Sequence, residues 1–290
     1  MILIADGGST SVDWCLINKG IVIKEVITEG INPFFKPYNI IYKDINENLL
    51  PELKGYDITS VYFFGAGCIS LEKNDIIRKA IYNNLKTEKI NVESDLYGAS
   101  IGLFGNNAGI VGILGTGSNS CFYDGRKIIE NIPSLGYILG DEGSAAVLGR
   151  LFLSSCLKNQ LSKGIKEKFL DEYKLTVPEI LVKVYNQSSP NTFLGTLSYF
   201  ISRNLNDESI YNLVFNALED FFRKNIMQYD YKNYPVRLTG SISFVFAEML
   251  KIIANNFDIR IENILESPMN GLINLDPIFL QDCLNYQYEK

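Results

Sequence analysis

Two short glycine-rich segments contain the residue types that bind phosphate groups. Residues 6–10 (DGGST) and 115–119 (GTGSN) each lie between two apolar runs that predict short β-strands. Glycine allows the tight turn that brings backbone N–H groups against an anion, and Ser and Thr hydroxyls add further donors. An ordinary hairpin turn explains either segment alone, but the matched pair favours phosphate binding.

Acid–base chemistry in this protein must come from groups other than imidazole, because the chain of 290 residues contains no His. A Ser-His-Asp triad, a Cys-His pair and a His-ligated zinc are therefore excluded. Asp95 follows a predicted strand at the start of a predicted helix, and its carboxylate is the natural group to take a proton from a substrate hydroxyl. Capping of that helix by Ser94 and Asp95 is the alternative. The carboxylate of Asp6 could hold Mg²⁺ through water, since Mg²⁺ keeps much of its hydration shell.

Two further segments combine glycine with polar residues at the predicted start of a helix. Residues 140–144 (GDEGS) place two adjacent carboxylates there, which suits sugar hydroxyls or a metal ion, although helix capping alone also explains them. Residues 238–243 (LTGSIS) form a predicted strand–glycine–helix junction, where Gly240 and the helix N-terminus leave room for a nucleotide. A plain turn with Ser241 as N-cap is the alternative.

The composition excludes several classes of protein. Hydrophobic residues make up 47% and charged residues 21%, which is typical of a folded globular chain. A net charge of −6 without any basic run argues against nucleic-acid binding. The five cysteines are scattered without a C-x-x-C pair, so we expect buried thiols rather than disulfides or a Cys-ligated metal. The N-terminus lacks the pattern of a signal peptide and no stretch suits a membrane span, so we expect a cytoplasmic protein.

The order of predicted elements, βββαβαβα, occurs twice along the chain, and the glycine-rich turns fall at corresponding points. The first half has predicted strands at 1–5, 14–17, 21–27, 61–64 and 90–92, with helices at 38–50, 71–85 and from 94. The second has strands at 109–114, 120–123, 127–129, 236–238 and 259–261, helices at 241–255 and 276–286, and a mostly helical insertion at about 143–229.

This repetition predicts two α/β domains, residues 1–108 and 109–274, that face each other across a central cleft. We expect a C-terminal helix at 275–290 to pack back on the first domain. The long helix predicted at 209–229 could pair two subunits into a homodimer, or its apolar face could lie in the core.

Taken in order, these motifs resemble the N-acetylglucosamine kinase family. That family belongs to the BadF/BadG/BcrA/BcrD ATPase-like group of the actin-like superfamily of sugar kinases and heat-shock chaperones. The resemblance covers nearly the whole chain, and GTGSN followed by GDEGS is its most specific part. It implies two ribonuclease H-like (actin-like ATPase) domains around a central cleft.

The resemblance also implies a function, namely transfer of phosphate from ATP, with Mg²⁺, to an amino sugar. The first substrate to expect is N-acetylglucosamine, phosphorylated on its 6-hydroxyl. By this resemblance Asp95 would be the catalytic base, Thr10 and Thr116 would contact the phosphates of ATP, and Gly240 would lie at the adenosine. The sugar would be bound by Asn32, Ser118, Asn119 and Asp141. From the motifs themselves we expect Asp6 as the metal ligand, and the remaining residues of the glycine-rich segments, Gly7, Gly8, Ser9, Gly115, Gly117 and Ser241, as further contacts to ATP.

The chain differs from the family pattern at two places. Relatives often carry Lys-Thr where Ser11-Val12 stand here, and a sugar-contacting Gly-Gly-Trp where this chain has Pro133-Ser134-Leu135. A non-catalytic sensor of sugar or nucleotide therefore stays open as an alternative. An ATP-driven activator of a CoA dehydratase is a weaker one, because such activators hold an iron–sulfur cluster and Cys121 has no C-x-x-C companion.

Overall fold

Two five-stranded sheets, each with helices packed on it, are the framework of this computed structural model. The structure describes residues 1–187, 189–276 and Leu280. The chain divides into two units. Unit 1 comprises residues 1–108 and 123–129 and the segment that starts at Ser267, and unit 2 comprises residues 109–122 and 130–266.

The sheet of unit 1 has the strand order β3-β2-β1-β4-β5. Strands β1, β2 and β3 form an antiparallel meander, whereas β1, β4 and β5 are parallel to one another. The strands are β1 (Ile2–Gly7), β2 (Ser11–Asn18), β3 (Ile21–Glu29), β4 (Ser60–Gly65) and β5 (Lys89–Ser94). The helices described in the first 108 residues are α1 (Tyr38–Asp44), α2 (Leu71–Leu85) and α3 (Asp95–Phe104).

The second sheet has the order β10-β9-β6-β7-β8. When the strands of each half are numbered one to five along the chain, this is the order of the first sheet read from its opposite edge. Strands β6, β9 and β10 are parallel. The strands are β6 (Gly109–Leu114), β7 (Ser118–Tyr123), β8 (Ile128–Ile132), β9 (Val236–Thr239) and β10 (Ile261–Leu265). The predicted α/β fold with a duplicated βββαβαβα topology is therefore confirmed.

Helices fill the chain between β8 and β9 and follow β9 and β10. The insertion contains α4 (Gly136–Leu139), α5 (Ala145–Leu157), α6 (Ile165–Tyr173), α7 (Val177–Tyr185), α8 (Pro190–Thr196), α9 (Ser198–Arg203) and α10 (Glu208–Lys224). The remaining helices are α11 (Ser241–Val245), α12 (Ala247–Asn256) and α13 (Met269–Ile273). Among the described residues, no helix combines the length and the apolar character that a membrane crossing requires.

Each unit has its own apolar core. In unit 1 the Trp14 ring packs against Phe63, and its indole nitrogen donates a hydrogen bond of 3.0 Å to Thr28 Oγ1. In unit 2 the rings of Phe152, Phe169 and Phe200 contact one another. Full burial of one such aromatic side chain contributes roughly 1.5–3 kcal/mol to stability.

The apolar face of α10 also belongs to the core of unit 2. Ile210, Val214 and Phe221 on this face are fully buried. Of the two alternatives raised for this helix, packing in the core is the one observed, and the face is not open to a second subunit.

Three predicted boundaries were wrong. The helix predicted at 38–50 is α-helical only to Asp44, then π-helical over Ile45–Leu49 and 3₁₀ over Leu50–Leu53. Pro51 has no N–H to continue the α-helical pattern there. The helix predicted at 241–255 is interrupted at Phe246, whose φ of −106° and ψ of 25° separate α11 from α12.

The strand predicted at 259–261 begins at Ile261 and runs to Leu265. Asp258 takes a left-handed φ of 53° after α12, and Ile259 N–H donates to Ala254 O at 2.9 Å. These residues therefore complete the end of the helix, and the strand starts later than the apolar pattern indicates.

The domain limits differ from the prediction at two places. Residues 123–129, at the β7–β8 turn, group with unit 1, and the chain re-enters unit 1 at Ser267 rather than at 275. The re-entry is early because α13 packs against α3. Most of the helix predicted at 276–286, or 275–290 in full, lies outside the described residues.

A pair of glycines at the contact between α5 and α8 tests how closely the insertion packs. A Cβ on Gly149 would lie 2.0 Å from Leu194 O, whereas a Cβ on Gly195 would come no closer than 3.5 Å to Thr116 Cγ2. We expect Gly149→Ala to lower the free energy of unfolding by at least about 2 kcal/mol, because the two helices must move apart. Gly195→Ala should be neutral or raise it by up to about 1 kcal/mol through helix propensity. Urea denaturation measures both, and similar effects of the two changes would contradict this close approach.

Candidate functional site

The candidate residues of unit 1 lie where its parallel strands end. Asp6, near the end of β1, is paired in register with Phe64 of β4. Gly65, the last residue of β4, is paired with Ser94, the last residue of β5, so Asp95 follows at the same edge. Open α/β sheets bind their ligands at this carboxyl edge of the parallel strands.

The first glycine-rich hairpin is held by a segment that the sequence motifs did not include. Gly8 N–H donates to Ser11 O at 2.8 Å across the turn, and Gly30 N–H donates to Thr10 O at 2.9 Å. A Cβ on Gly30 would lie 2.2 Å from Ser9 O, so only glycine allows this segment to approach the hairpin. Gly8 and Thr10 are exposed at the turn.

Asn32 lies beside the same hairpin. Its Nδ2 donates to Ser9 Oγ at 3.4 Å, and its Oδ1 accepts from Phe34 N–H at 3.0 Å. Gly67 has a φ of 79°, and a Cβ there would lie 2.4 Å from Asn32 Oδ1. The structure therefore brings together Asn32, the hairpin and the turn after β4.

Asp95 occupies the first turn of α3. Ser94 Oγ accepts a hydrogen bond from Tyr97 N–H at 3.2 Å, and Asp95 Oδ1 accepts one from Leu96 N–H at 2.9 Å. Ser94 and Asp95 therefore cap α3, which is the alternative role that the sequence analysis raised for them. Burial nevertheless raises the pKa of Asp95, although hydrogen bonds from the backbone of Leu96 and of Asp95 itself act to lower it. Such a carboxylate is a better proton acceptor than one in water.

Asp6 is a carboxyl group in an acidic environment. Its pKa is raised to about 7, chiefly by burial and in part by the nearby charges of Asp95 and Asp13, while the hydrogen bond from Ser267 opposes the shift. Ser267 Oγ donates to Asp6 Oδ2 at 3.1 Å.

A cation next to Asp6 would relieve this charge repulsion, and carboxylate oxygen is a ligand that Mg²⁺ prefers. Within the described residues no group of three or more Asp, Glu, His or Cys could hold a metal by itself. The carboxylate of Asp6 would fit a Mg²⁺ ion that keeps most of its water, since Mg²⁺ is usually held by only one or two protein carboxylates.

The second hairpin rests on the N-terminus of α5. Ala145 N–H donates to Gly115 O at 2.9 Å, and Ala146 N–H donates to Thr116 O at 3.1 Å. Gly115 N–H donates to Gly117 O at 2.9 Å and closes the turn itself. The first N–H groups of the helix, which have no partner within it, are thus used to fix the hairpin.

Gly240 meets the base of this hairpin. It has a φ of 109°, and a Cβ there would lie 2.4 Å from Leu114 O. The structure therefore brings Gly240 together with the 115–117 turn, at the end of the parallel strands β6 and β9. Ser241 is the first residue of α11 and is exposed, and the N-cap position belongs to Gly240, so the alternative of Ser241 as N-cap is wrong.

Asp141 connects the second hairpin to the segment before α4. Its carboxylate accepts hydrogen bonds from the backbone of Ser118 and of Gly136, and burial raises its pKa to about 6. Its own N–H donates to Ser134 O at 2.8 Å, and its φ is 50°. Ser118 is buried, and its hydroxyl donates to Glu142 O at 2.8 Å.

Asn131 is a residue that the sequence analysis missed. Asn119 Oδ1 accepts hydrogen bonds from Ser120 N–H and from Asn131 Nδ2, both at 2.9 Å. Asn131 Nδ2 also donates to Ser120 O at 2.7 Å. These bonds fix the orientation of the Asn119 amide and direct its nitrogen away from them. Nothing in the local pattern of β8 marks Asn131, because the contact depends on the pairing of β7 with β8.

The chain matches no protein-family model, and no curated protein is significantly similar to it. Among solved structures, a putative N-acetylglucosamine kinase from Porphyromonas gingivalis is 41% identical, with a TM-score of 0.91 over 99% of this chain and 100% of that one.

Two more distant structures share the fold. A putative N-acetylglucosamine kinase from Chromobacterium violaceum is 17% identical, with a TM-score of 0.72 over 97% of this chain and 98% of that one. A ROK family glucokinase from Streptomyces griseus, in complex with glucose and AMPPNP, is 13% identical, with a TM-score of 0.55 over 98% of each chain. Because the Porphyromonas gingivalis protein is 41% identical over nearly the full length of both chains, this chain belongs to the N-acetylglucosamine kinase family.

Proposed function

We propose that this protein is an ATP-dependent kinase of an amino sugar, and that its substrate is N-acetylglucosamine, phosphorylated on the 6-hydroxyl. The observation that carries the proposal is the placement of Asp6 and Asp95 at one sheet edge, beside a glycine-rich hairpin. Membership of the N-acetylglucosamine kinase family supports the choice of the sugar.

Asp95 is the general base in this proposal. The 6-hydroxyl of the sugar attacks the γ-phosphorus of ATP, the bond from that phosphorus to the bridging oxygen breaks, and ADP leaves. Asp95 orients the hydroxyl and accepts its proton. Positioning and electrostatic stabilisation dominate such reactions, so a carboxylate with a raised pKa suffices.

The two glycine-rich hairpins bind the phosphates of ATP. Thr10 and Thr116 contribute hydroxyl donors, together with the backbone N–H groups around Gly7, Gly8, Ser9, Gly115 and Gly117. Gly240 and Ser241 lie at the nucleoside. Asp6 would hold Mg²⁺ through water, and the ion, when bound, neutralises charge on the phosphates.

The sugar is bound by Asn32, Ser118, Asn119 and Asp141. Each of these side chains already has a hydrogen bond that fixes its orientation, to the backbone or to a neighbouring side chain. A pre-oriented set of polar groups loses little side-chain entropy on binding. Residues 133–135, which replace the Gly-Gly-Trp of relatives, are the part of this region where specificity for the sugar would differ.

A sensor that binds without turnover is the second candidate. Ser11 is exposed directly after the first hairpin, where relatives often carry Lys, so one positive charge near the phosphates is missing. Binding of both sugar and ATP with no ADP release would favour this candidate over the kinase.

The direct test is ADP release from Mg-ATP with a panel of acceptors: N-acetylglucosamine, glucosamine, N-acetylmannosamine, glucose and no sugar. We expect stimulation by N-acetylglucosamine, and a loss of about 10²–10⁴-fold in kcat in Asp95→Asn, because the variant lacks the base. ATP binding should be nearly unchanged.

Asp57→Asn is the matched control for that test, since Asp57 is an exposed Asp in a loop of the same unit. Near-normal turnover in Asp95→Asn would remove Asp95 from the mechanism. Absence of stimulation by any sugar would contradict the kinase for these substrates.

The raised pKa of Asp95 predicts opposite effects of pH on activity and on stability. Activity should fall on acidification at a pH above the ordinary carboxyl range of about 4, because the base becomes protonated.

The free energy of unfolding should fall as pH rises through the raised pKa of Asp95, since the folded state favours the protonated form. Asp6, whose pKa is raised to about 7, adds to this loss. In urea denaturation from about pH 4, the ordinary carboxyl pKa, upwards, Asp95→Asn should therefore gain stability relative to the wild type as pH rises. A constant difference across this range would contradict the buried carboxyl.

The contact between Asn131 and Asn119 predicts a selective defect in sugar binding. We expect Asn131→Asp to raise KM for the sugar by about fivefold or more, because a carboxylate cannot donate to Asn119 Oδ1. KM for ATP should stay within about twofold. Asn263→Asp, at an exposed position of β10 in the same unit, is the control. A change in KM for ATP as large as that for the sugar would show that the effect is not specific to Asn119.

A further inference from the structure

The segment from Ser267 to Ile273 contacts both elements that carry the acidic pair of unit 1. Its helix, α13, packs against α3, which begins at Asp95, and also against β1, which contains Asp6. A Cβ on Gly271 would lie 1.7 Å from Gly102 O, so the backbones of α13 and α3 are in direct contact. The segment is therefore fixed on the element that positions Asp95.

The hydroxyl of Ser267 makes two hydrogen bonds in defined directions. Ser267 Oγ donates to Asp6 Oδ2 at 3.1 Å and accepts from Met269 N–H at 3.1 Å. A hydroxyl has one proton, so the proton of Ser267 is committed to Asp6 while Met269 N–H holds the oxygen in place. The buried side chain of Met269 fixes this backbone in turn.

One oxygen of the Asp6 carboxylate is thus held by a donor whose own position is fixed. Such a bond selects one rotamer of the Asp6 side chain and fixes the direction of its second oxygen. Hydrogen bonds of this kind to a metal-binding carboxylate orient it, and their loss typically costs 10–100-fold in metal affinity.

We infer that Ser267 is a positioning residue, which orients the Asp6 carboxylate so that it can bind the hydrated Mg²⁺ of Mg-ATP. The inference rests on the proposed function, because that function makes Asp6 the metal ligand. Ser267 is not among the residues proposed to bind the nucleotide or the sugar. Its role is separate from that of Asp95, and a change at Ser267 should affect the metal-dependent part of nucleotide binding alone.

A purely structural role for Ser267 is the alternative, since its oxygen also accepts from Met269 N–H at the start of α13. Ser70 provides the matched control. Its Oγ accepts from Lys73 N–H at 3.3 Å as N-cap of α2 in the same unit, and Ser70 has no part in the proposed site. Ser70→Ala therefore removes a comparable helix-start bond without changing Asp6.

The test compares binding of AMPPNP in Mg²⁺ and in EDTA by isothermal titration calorimetry, for the wild type, Ser267→Ala, Ser267→Thr and Ser70→Ala. In Ser267→Ala we expect the affinity in Mg²⁺ to fall on the order of tenfold, while the affinity in EDTA is unchanged. Ser267→Thr retains the hydroxyl and should stay within about twofold of the wild type. Ser70→Ala should behave as the wild type, and KM for the sugar should not change in any variant.

Two results would overturn the inference while leaving the proposed function intact. One is a Ser267→Ala variant that keeps the full Mg²⁺-dependent gain in affinity, and the other is an equal loss in Ser70→Ala. A wild type that shows no Mg²⁺-dependent gain would contradict the metal role in the proposed function, and the inference with it. Thermal unfolding checks that each variant is folded. If Ser267→Ala does not fold, Ser267→Cys keeps the size with a weaker donor and should lose affinity in the same direction.

Discussion

The placement of two carboxyl groups of like charge at one sheet edge is the constraint on which unit 1 depends. Burial raises the pKa of both Asp6 and Asp95, and the charge of Asp95 raises that of Asp6 further. At neutral pH this arrangement costs free energy of folding, which the buried core must offset. The donors that surround the pair, Leu96 N–H and the Ser267 hydroxyl, reduce the cost. An arrangement that opposes stability and is nevertheless supported in detail is typical of a functional site.

Close backbone approach is what brings the remaining candidate residues into place, and it is achieved in the same manner in each unit. In unit 1 a carbonyl of the first hairpin accepts from Gly30 N–H, and in unit 2 two carbonyls of the second hairpin accept from the first residues of α5. Gly30 and Gly240 each lie where a Cβ would overlap backbone atoms of the hairpin region. With carbonyls of both turns occupied by neighbouring N–H groups, the turns are pre-organised, which lowers the cost of binding an anion.

Local patterns predicted the duplicated order of strands and both hairpins, because apolar runs and glycine turns are local signals. They placed β10 too early, since the end of α12 depends on a left-handed Asp258 and on a bond from Ile259 to Ala254. They also gave no indication of Asn131 or Ser267. The bond from Ser267 to Asp6 joins residues at opposite ends of the chain, and the bond from Asn131 to Asn119 depends on strand pairing. Contacts of this kind follow from tertiary structure alone, and no sequence period predicts them.

Two residues of unit 2 that lie close to its second hairpin have strained backbone conformations. Leu135 and Asp141 have left-handed φ values of 60° and 50°, which cost roughly 1–2 kcal/mol each for residues with a side chain. Ser134 O accepts a hydrogen bond from Asp141 N–H, and the Asp141 carboxylate accepts one from the backbone of Gly136. The segment 133–136 is therefore held in one conformation by Asp141 itself, with Leu135 exposed. Strain maintained by such contacts concentrates at binding sites. In the proposed function, the choice of sugar would depend on this segment, whereas phosphate transfer would depend on the carboxyl pair in unit 1.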